Sequence, residues 1–148
     1  MNQAVDPALI FIDQDLKSKE EIVAFLADQA QTQGFVMDVK QYVQAVFDRE
    51  AEISTALGYD LAIPHGKTNT VKEPFMMFLR LKEPIQWNED KNSIVKMVFM
   101  LGILATAAEK SHLKMLSTIS RKLMHDDFHN QMLEETNPQK IYQLLSDI

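Results

Sequence analysis

At 148 residues, nearly half of them hydrophobic, the chain is the right size for one domain with an ordinary core. Its net charge of −6, with no lysine or arginine cluster, excludes a general nucleic-acid binder, which needs a basic excess to displace counterions from phosphates. The absence of cysteine excludes disulfides and a thiol nucleophile. The longest uncharged apolar run, Met97 to Ala108, is too short to span a bilayer, and the acidic first fifteen residues do not read as a secretory signal, so none is expected.

A soluble cytoplasmic domain is therefore expected. Leu9-Ile10-Phe11-Ile12 reads as a short strand, and Ser18 with Glu21 three residues on has the form of a capping box. The helix it opens should end near Gly34, with Ile22, Phe25, Leu26 and Ala30 on one face. A second helix from Asp38 to about Ile53 repeats the pattern with Val39, Val43, Val46 and Phe47. Phe75 to Leu79, bracketed by Pro74 and Pro84, and Val95 to Leu104 are continuous apolar runs, as in strands buried on both faces. Leu113, Leu116, Ile119 and Leu123 predict a helix over Glu109 to His125. A short helix with Phe128, Met132 and Leu133 follows, then a last one opened by Asn137-Pro138. Strands in the middle with helices at both ends imply a single α/β domain over residues 1–148, its central mixed sheet flanked by helices on both faces. Met76, Met77, Met97 and Met100 read as core filler.

Four histidines carry the candidate chemistry. His125 and His129 stand four apart, but with no third ligand or glutamate base they read as a solvated helix junction, and no metal or other cofactor is expected. The four glycines build neither a phosphate-binding loop nor a nucleophile elbow. His65 stands apart, set between Pro64 and Gly66 after the apolar run Leu61-Ala62-Ile63. Pro64 restricts the backbone before the ring, and Gly66 is expected to keep side chains away from the imidazole and leave the following turn free. Its two readings are a structural strand-end histidine and a nucleophile.

The stretch Asp48 to Lys67, with Arg49-Glu50, Ser54-Thr55 and Ala62-Ile63-Pro64-His65-Gly66, resembles the signature of the IIA components of the bacterial sugar phosphotransferase system, fructose and mannitol class. Glu83-Pro84-Ile85-Gln86-Trp87, the apolar run Val95 to Leu104 and His112-Leu113-Lys114-Met115-Leu116 follow in the family's order, so the likeness covers nearly the whole chain. It implies a phosphocarrier in which His65 takes a phosphoryl group at Nε2 from phosphorylated HPr and passes it to a cysteine of a IIB domain. A membrane IIC component would be involved only indirectly, and no nucleic acid. The alternative is a regulatory protein of the nitrogen-related branch, which signals by phosphorylation-dependent protein binding.

Arg49 and His112 match family positions that line the active site. A phosphorylated histidine adds about −1.5 to −2 charges, the figure for phosphorylated hydroxyls. The planar Arg49 fork suits it, each charge-assisted bond being worth about 1.5–3 kcal/mol. His112 and Ser111 would lie at the first turn of their helix, where free amides favour an anion. Thr55 and Ser54 would either bond the phosphoryl group or close a turn. The chain departs from the family over Ala56-Leu57-Gly58-Tyr59-Asp60, where a glycine- and asparagine-rich stretch is common; Asp60 replaces a neutral amide, and Tyr59 bears on which partner docks. A carboxylate at 60 would oppose phosphorylation if it faced the phosphoryl pocket.

Overall fold

In the computed structural model, which describes residues 5–147 apart from the side chains of residues 5, 111 and 112, short polar residues start most helices where the sequence places them. Chain order is β1 (Val5–Gln14), α1 (Lys19–Thr32), α2 (Val39–Glu52), β2 (Ala56–Gly58), β3 (Leu61–Ala62), β4 (His65–Thr68), β5 (Phe75–Gln86), β6 (Ile94–Leu104), α3 (Glu109–Leu123), α4 (Asp126–Glu134) and α5 (Pro138–Ser146). Ser18 Oγ accepts from the Glu21 amide at 3.1 Å, Asp38 from the Gln41 amide at 3.2 Å, and Asn137 from the Gln139 amide at 3.0 Å, each satisfying a donor that the first turn leaves open. After α1, Gly34 adopts φ 84°, and the Phe35 amide returns to the Ala30 carbonyl at 2.9 Å, closing the helix end.

Six strands form one mixed sheet in the order β1-β5-β6-β3-β2, with β4 also paired to β6. β1 runs parallel to β5, β5 antiparallel to β6, and β3 and β4 both parallel to β6. One face is covered by α1 and α2 through a core that includes Leu26, Tyr42, Val46, Phe75 and Met100. The other is covered by α3, α4 and α5 around Met97, Phe99, Ile119, Phe128 and Ile141. This is the expected α/β architecture, and Met76, Met77, Met97 and Met100 are all buried in it. No helix among the described residues is long and apolar enough to cross a membrane.

Two local differences from the sequence reading have physical causes. β1 extends well beyond Leu9–Ile12 because it is held by pairing to β5. β5 runs past Leu79 and through Pro84 to Gln86, because the ladder to β6 slips between Arg80 and Ile85, an irregularity that accommodates a residue with no N–H. Gly102 is required by a close approach: a Cβ there would stand 2.0 Å from Phe75 Cε2.

Candidate functional site

Pro64 interrupts a strand without shifting it. Leu61 and Ala62 pair with Met97 and Val98, and His65 to Thr68 pair with Leu101 to Leu104, in one constant register on either side of the break. The Pro64 carbonyl still accepts from the Leu101 amide at 3.0 Å, so only the donor that proline lacks is missing from the ladder. A constant register preserves the alternation of faces. Leu61 and Ile63 pack toward α3–α5 and Ala62 toward α1 and α2. His65, beside Leu101, continues the first series, and Gly66 continues the second.

His65 is 5% exposed, and its ring Nδ1 lies 3.0 Å from the Ile63 carbonyl. A carbonyl oxygen only accepts, so Nδ1 carries the proton, and in the neutral ring the lone pair falls on Nε2. The strand's own backbone thus sets the tautomer and the orientation of the imidazole.

Gly66 acts differently from the sequence expectation. It lies within β4 rather than before a turn and faces α2, where an added Cβ would stand 3.0 Å from Tyr42 Cε1 and 3.1 Å from Val46 Cγ2. Its small size lets β4 close on α2. Tyr42, fully buried, fixes that contact by donating its hydroxyl to the Leu101 carbonyl at 2.7 Å.

His65 opens onto a cleft of about 530 Å³ between α2, β4 and α3. From α2 come Ala45, Asp48, Arg49 and Glu52, with Ile53 just beyond its end; β4 adds Lys67, and α3 adds Glu109, Leu113 and Leu116. Arg49 and His65 therefore share one cavity. Arg49 Nη1 donates to the Ile53 carbonyl at 2.9 Å, so the guanidinium caps the end of its own helix rather than pairing with Glu50 or Glu52. Lys67, two residues beyond His65 on the same strand face, was not a candidate from sequence. Alternation along a strand would have found it, had the strand been known to continue past Pro64.

Ser54 and Thr55 do not line the cleft. Ser54 Oγ accepts from Asn88 Nδ2 at 2.8 Å and from the Ala56 amide at 3.1 Å. The Thr55 hydroxyl bonds the Glu50 carboxylate, which also accepts from the Thr55 amide and from Trp87 Nε1, both at 3.3 Å. Ser111 and His112 fall in the first turn of α3, which starts at Glu109 as expected, but their side chains lie outside the described residues. The α3 N-cap is Ala108, which supplies no side-chain acceptor to the first-turn amides.

Tyr59 and Asp60 form the two-residue turn between β2 and β3, with φ of 54° and 62°, the left-handed pair that a type I′ hairpin demands. The Asp60 carbonyl accepts from the Lys96 and Met97 amides, both at 2.9 Å, and Asp60 is not part of the cleft wall. His129 Nε2 lies 2.7 Å from the Tyr59 carbonyl and therefore donates to it, while His125 is an exposed helix cap. Among the described residues, no group of three or more His, Cys, Asp or Glu side chains is placed to hold a metal ion.

An α/β sheet that carries a backbone-oriented histidine at its margin, opening onto a cleft shared with a guanidinium, defines a class of protein that presents one held imidazole to a cavity. The sequence matches the family described as phosphoenolpyruvate-dependent sugar phosphotransferase system, EIIA 2, over residues 3–148. It is 34% identical over 140 residues to the PTS system fructose-specific EIIA component of Haloferax volcanii, covering 95% of this chain and 90% of that one. Other relatives are much longer: the chain is 29% identical over 136 residues to multiphosphoryl transfer protein 2 of Escherichia coli, 92% of its own length but 16% of that protein's. Among solved structures, nitrogen regulatory protein IIA-Ntr from Neisseria meningitidis superposes with a TM-score of 0.86 at 23% identity, covering 97% of each chain. The mannitol IIA enzyme of Escherichia coli, solved in complex with phosphorylated mannitol IIB, superposes with a TM-score of 0.80 at 23% identity, covering 95% of this chain and 96% of that one. The chain belongs to the EIIA 2 family of the sugar phosphotransferase system. It is thus a phosphoryl-transfer component of that system.

Proposed function

We propose that His65 is the phosphoryl acceptor of a sugar phosphocarrier: Nε2 takes the group from the phosphohistidine of HPr and gives it to a cysteine of a IIB domain, for uptake of a fructose- or mannitol-class sugar. The observation that carries this reading is the Nδ1 contact to the Ile63 carbonyl, which places a proton on Nδ1 and so makes Nε2 the nitrogen that attacks when the ring is neutral. In the first transfer the Nε2 lone pair forms a bond to phosphorus as the donor's N–P bond breaks, and the donor ring recovers the electron pair. In the second, the thiolate sulfur forms the new bond and His65 recovers its own pair. Both steps pass through a loose transition state that places negative charge on the peripheral oxygens, so the protein's task is positioning and charge stabilisation. Arg49 supplies a guanidinium from the same cleft, and His112 and Ser111 are proposed to assist from the first turn of α3. Ser54 and Thr55 are proposed to support the site indirectly, by fixing the segment between α2 and β2.

The fructose-specific name of the relative at 34% identity supports the transport assignment, and the mannitol IIA–IIB complex supports IIB as acceptor. The whole chain, residues 1–148, is proposed to act as one IIA unit in the cytoplasm. A regulatory role of the nitrogen-related kind would use the same phosphorylated His65 without discharge to IIB. The test is incubation with phosphoenolpyruvate, enzyme I and HPr, followed by addition of fructose- and mannitol-class IIB domains. The expected result is an acid-labile phosphoryl group that is absent in His65→Ala and moves to a IIB cysteine. Label that persists in His65→Ala, or none in the unmodified protein, overturns the assignment of His65; label that no IIB accepts favours the regulatory role.

A further inference from the structure

The wall around His65 is poorly balanced for a phosphoryl group. Asp48, Glu52 and Glu109 bring three carboxylates, against the guanidinium of Arg49 and the ammonium of Lys67. A group of about −1.5 to −2 charges on the ring would add to that negative excess. One guanidinium does not offset it, and Lys67 is the other cation of the described lining.

We propose that Lys67 is a second phosphoryl ligand, held on the Ala107 carbonyl while His65 is unloaded and exchanged onto a phosphoryl oxygen when it is loaded. The inference rests on His65 being the acceptor. Three observations support it. His65 and Lys67 stand two apart on one face of β4, roughly 7 Å between Cα atoms, a span that the flexible lysine arm can close against a group projecting from the ring. The Lys67 side chain is exposed, so the swing displaces no core packing. Its present partner is a neutral acceptor, the Ala107 carbonyl at 2.8 Å, whereas an anionic oxygen makes the stronger charge-assisted bond.

The exchange does not cost the turn that it leaves. The Ala107 amide donates to the Leu104 carbonyl at 3.0 Å, independently of Lys67, so the link from β6 to α3 keeps its own closure. Ala107 immediately precedes the N-cap of α3, and release of its carbonyl reports loading of His65 at the start of that helix.

The test compares Lys67→Met, Lys67→Gln and Lys67→Arg by the rate and plateau of His65 labelling from phosphoenolpyruvate, enzyme I and HPr, with thermal unfolding of each. Lys67→Met and Lys67→Gln are expected to slow labelling by about 10- to 100-fold, the equivalent of one charge-assisted bond, and Lys67→Arg to recover most of it. Glutamine can still bond the Ala107 carbonyl, so recovery by Lys67→Gln would reduce Lys67 to a structural strap and overturn the proposal. The amide resonances of Ala107 and Ala108 are expected to shift on phosphorylation of the unmodified protein and not of Lys67→Met; equal shifts in both would refute the exchange. A labelled unmodified protein with an equally fast Lys67→Met removes the role of Lys67 alone, whereas no label at all removes the His65 assignment and this proposal with it.

Discussion

Replacing Gly66 by alanine separates two accounts of the residue beside His65. The new methyl would stand 3.0 Å from Tyr42 Cε1 and 3.1 Å from Val46 Cγ2, where carbon atoms prefer about 3.5–4.0 Å. Tyr42 has little freedom to retreat, since its hydroxyl is held by the Leu101 carbonyl at 2.7 Å and its ring packs on Phe75 with centroids 5.6 Å apart. The strain therefore falls on β4, which must move out by about 0.5 Å. Overpacking of this kind costs about 1–3 kcal/mol. For a chain of this size that lowers Tm by about 3–10 °C. Because His65 is the adjoining residue, a shift of about 0.5 Å costs up to about 10-fold in transfer rate, half of the roughly 100-fold penalty on a logarithmic scale for a 1 Å misplacement. Calorimetric Tm and single-turnover labelling, measured on one preparation, are expected to fall together. A slower rate at unchanged Tm would place the methyl in the path of the imidazole, and no change in either would refute the close packing of β4 on α2.

Tyr42→Phe should make the protein less stable near neutral pH and less sensitive to alkali. Burial pushes the Tyr42 phenol far above its ordinary range, so the folded chain keeps the proton while the unfolded chain loses it near pH 10. The stabilising contribution is complete below about pH 10 and is lost as pH rises above it. Denaturant midpoints should show a loss of about 1 kcal/mol at pH 7, from the missing hydrogen bond, and a shallower decline between pH 10 and 11; an unaltered alkaline slope would contradict the assignment. Arg49→Gln should slow phosphoryl transfer by about 10- to 100-fold while His65 still takes label. Its Tm should change little, because the guanidinium is only half-buried and its bond to Ile53 lies at an exposed helix end; a rate equal to the unmodified protein's would remove Arg49 from the chemistry.

The parts of the fold that were legible are those decided within a few residues. Ser18, Asp38 and Asn137 each bond an amide two or three positions on, so three helix starts can be read directly. β5 was cut short at Leu79 because Pro84 argues against a strand, and what admits it is a slip in pairing with β6, a neighbour fixed elsewhere in the chain. The site divides in the same way. Pro64-His65-Gly66 marks the candidate imidazole, but the partner of Nδ1 is a carbonyl whose direction no side chain encodes. The small size of Gly66 is required by Tyr42 and Val46, which lie on a helix some twenty residues upstream and so leave no local mark in the sequence. The hydroxyls of Ser54 and Thr55 bond Asn88 and Glu50, partners some 34 residues downstream and five residues upstream that their own types do not announce.

Asp60 carries the same lesson into specificity. In the sequence it is a carboxylate five residues before His65, the proposed acceptor, and so a candidate opponent of phosphorylation. The backbone gives it another role: both Tyr59 and Asp60 are at positive φ, and glycine, asparagine and aspartate are the residues that a type I′ turn takes most readily. Five residues of extended chain from Asp60 to His65 span roughly 16 Å, beyond the Debye length of about 8 Å at physiological salt, so this charge has little hold on a phosphoryl group at Nε2. The departure from glycine and asparagine is a change in how the β2–β3 turn is built. Tyr59, which is 60% exposed, presents an aromatic ring at that turn, away from the reacting atoms, so any effect of this pair on partner choice would act through the outer surface and leave the environment of Nε2 unaltered.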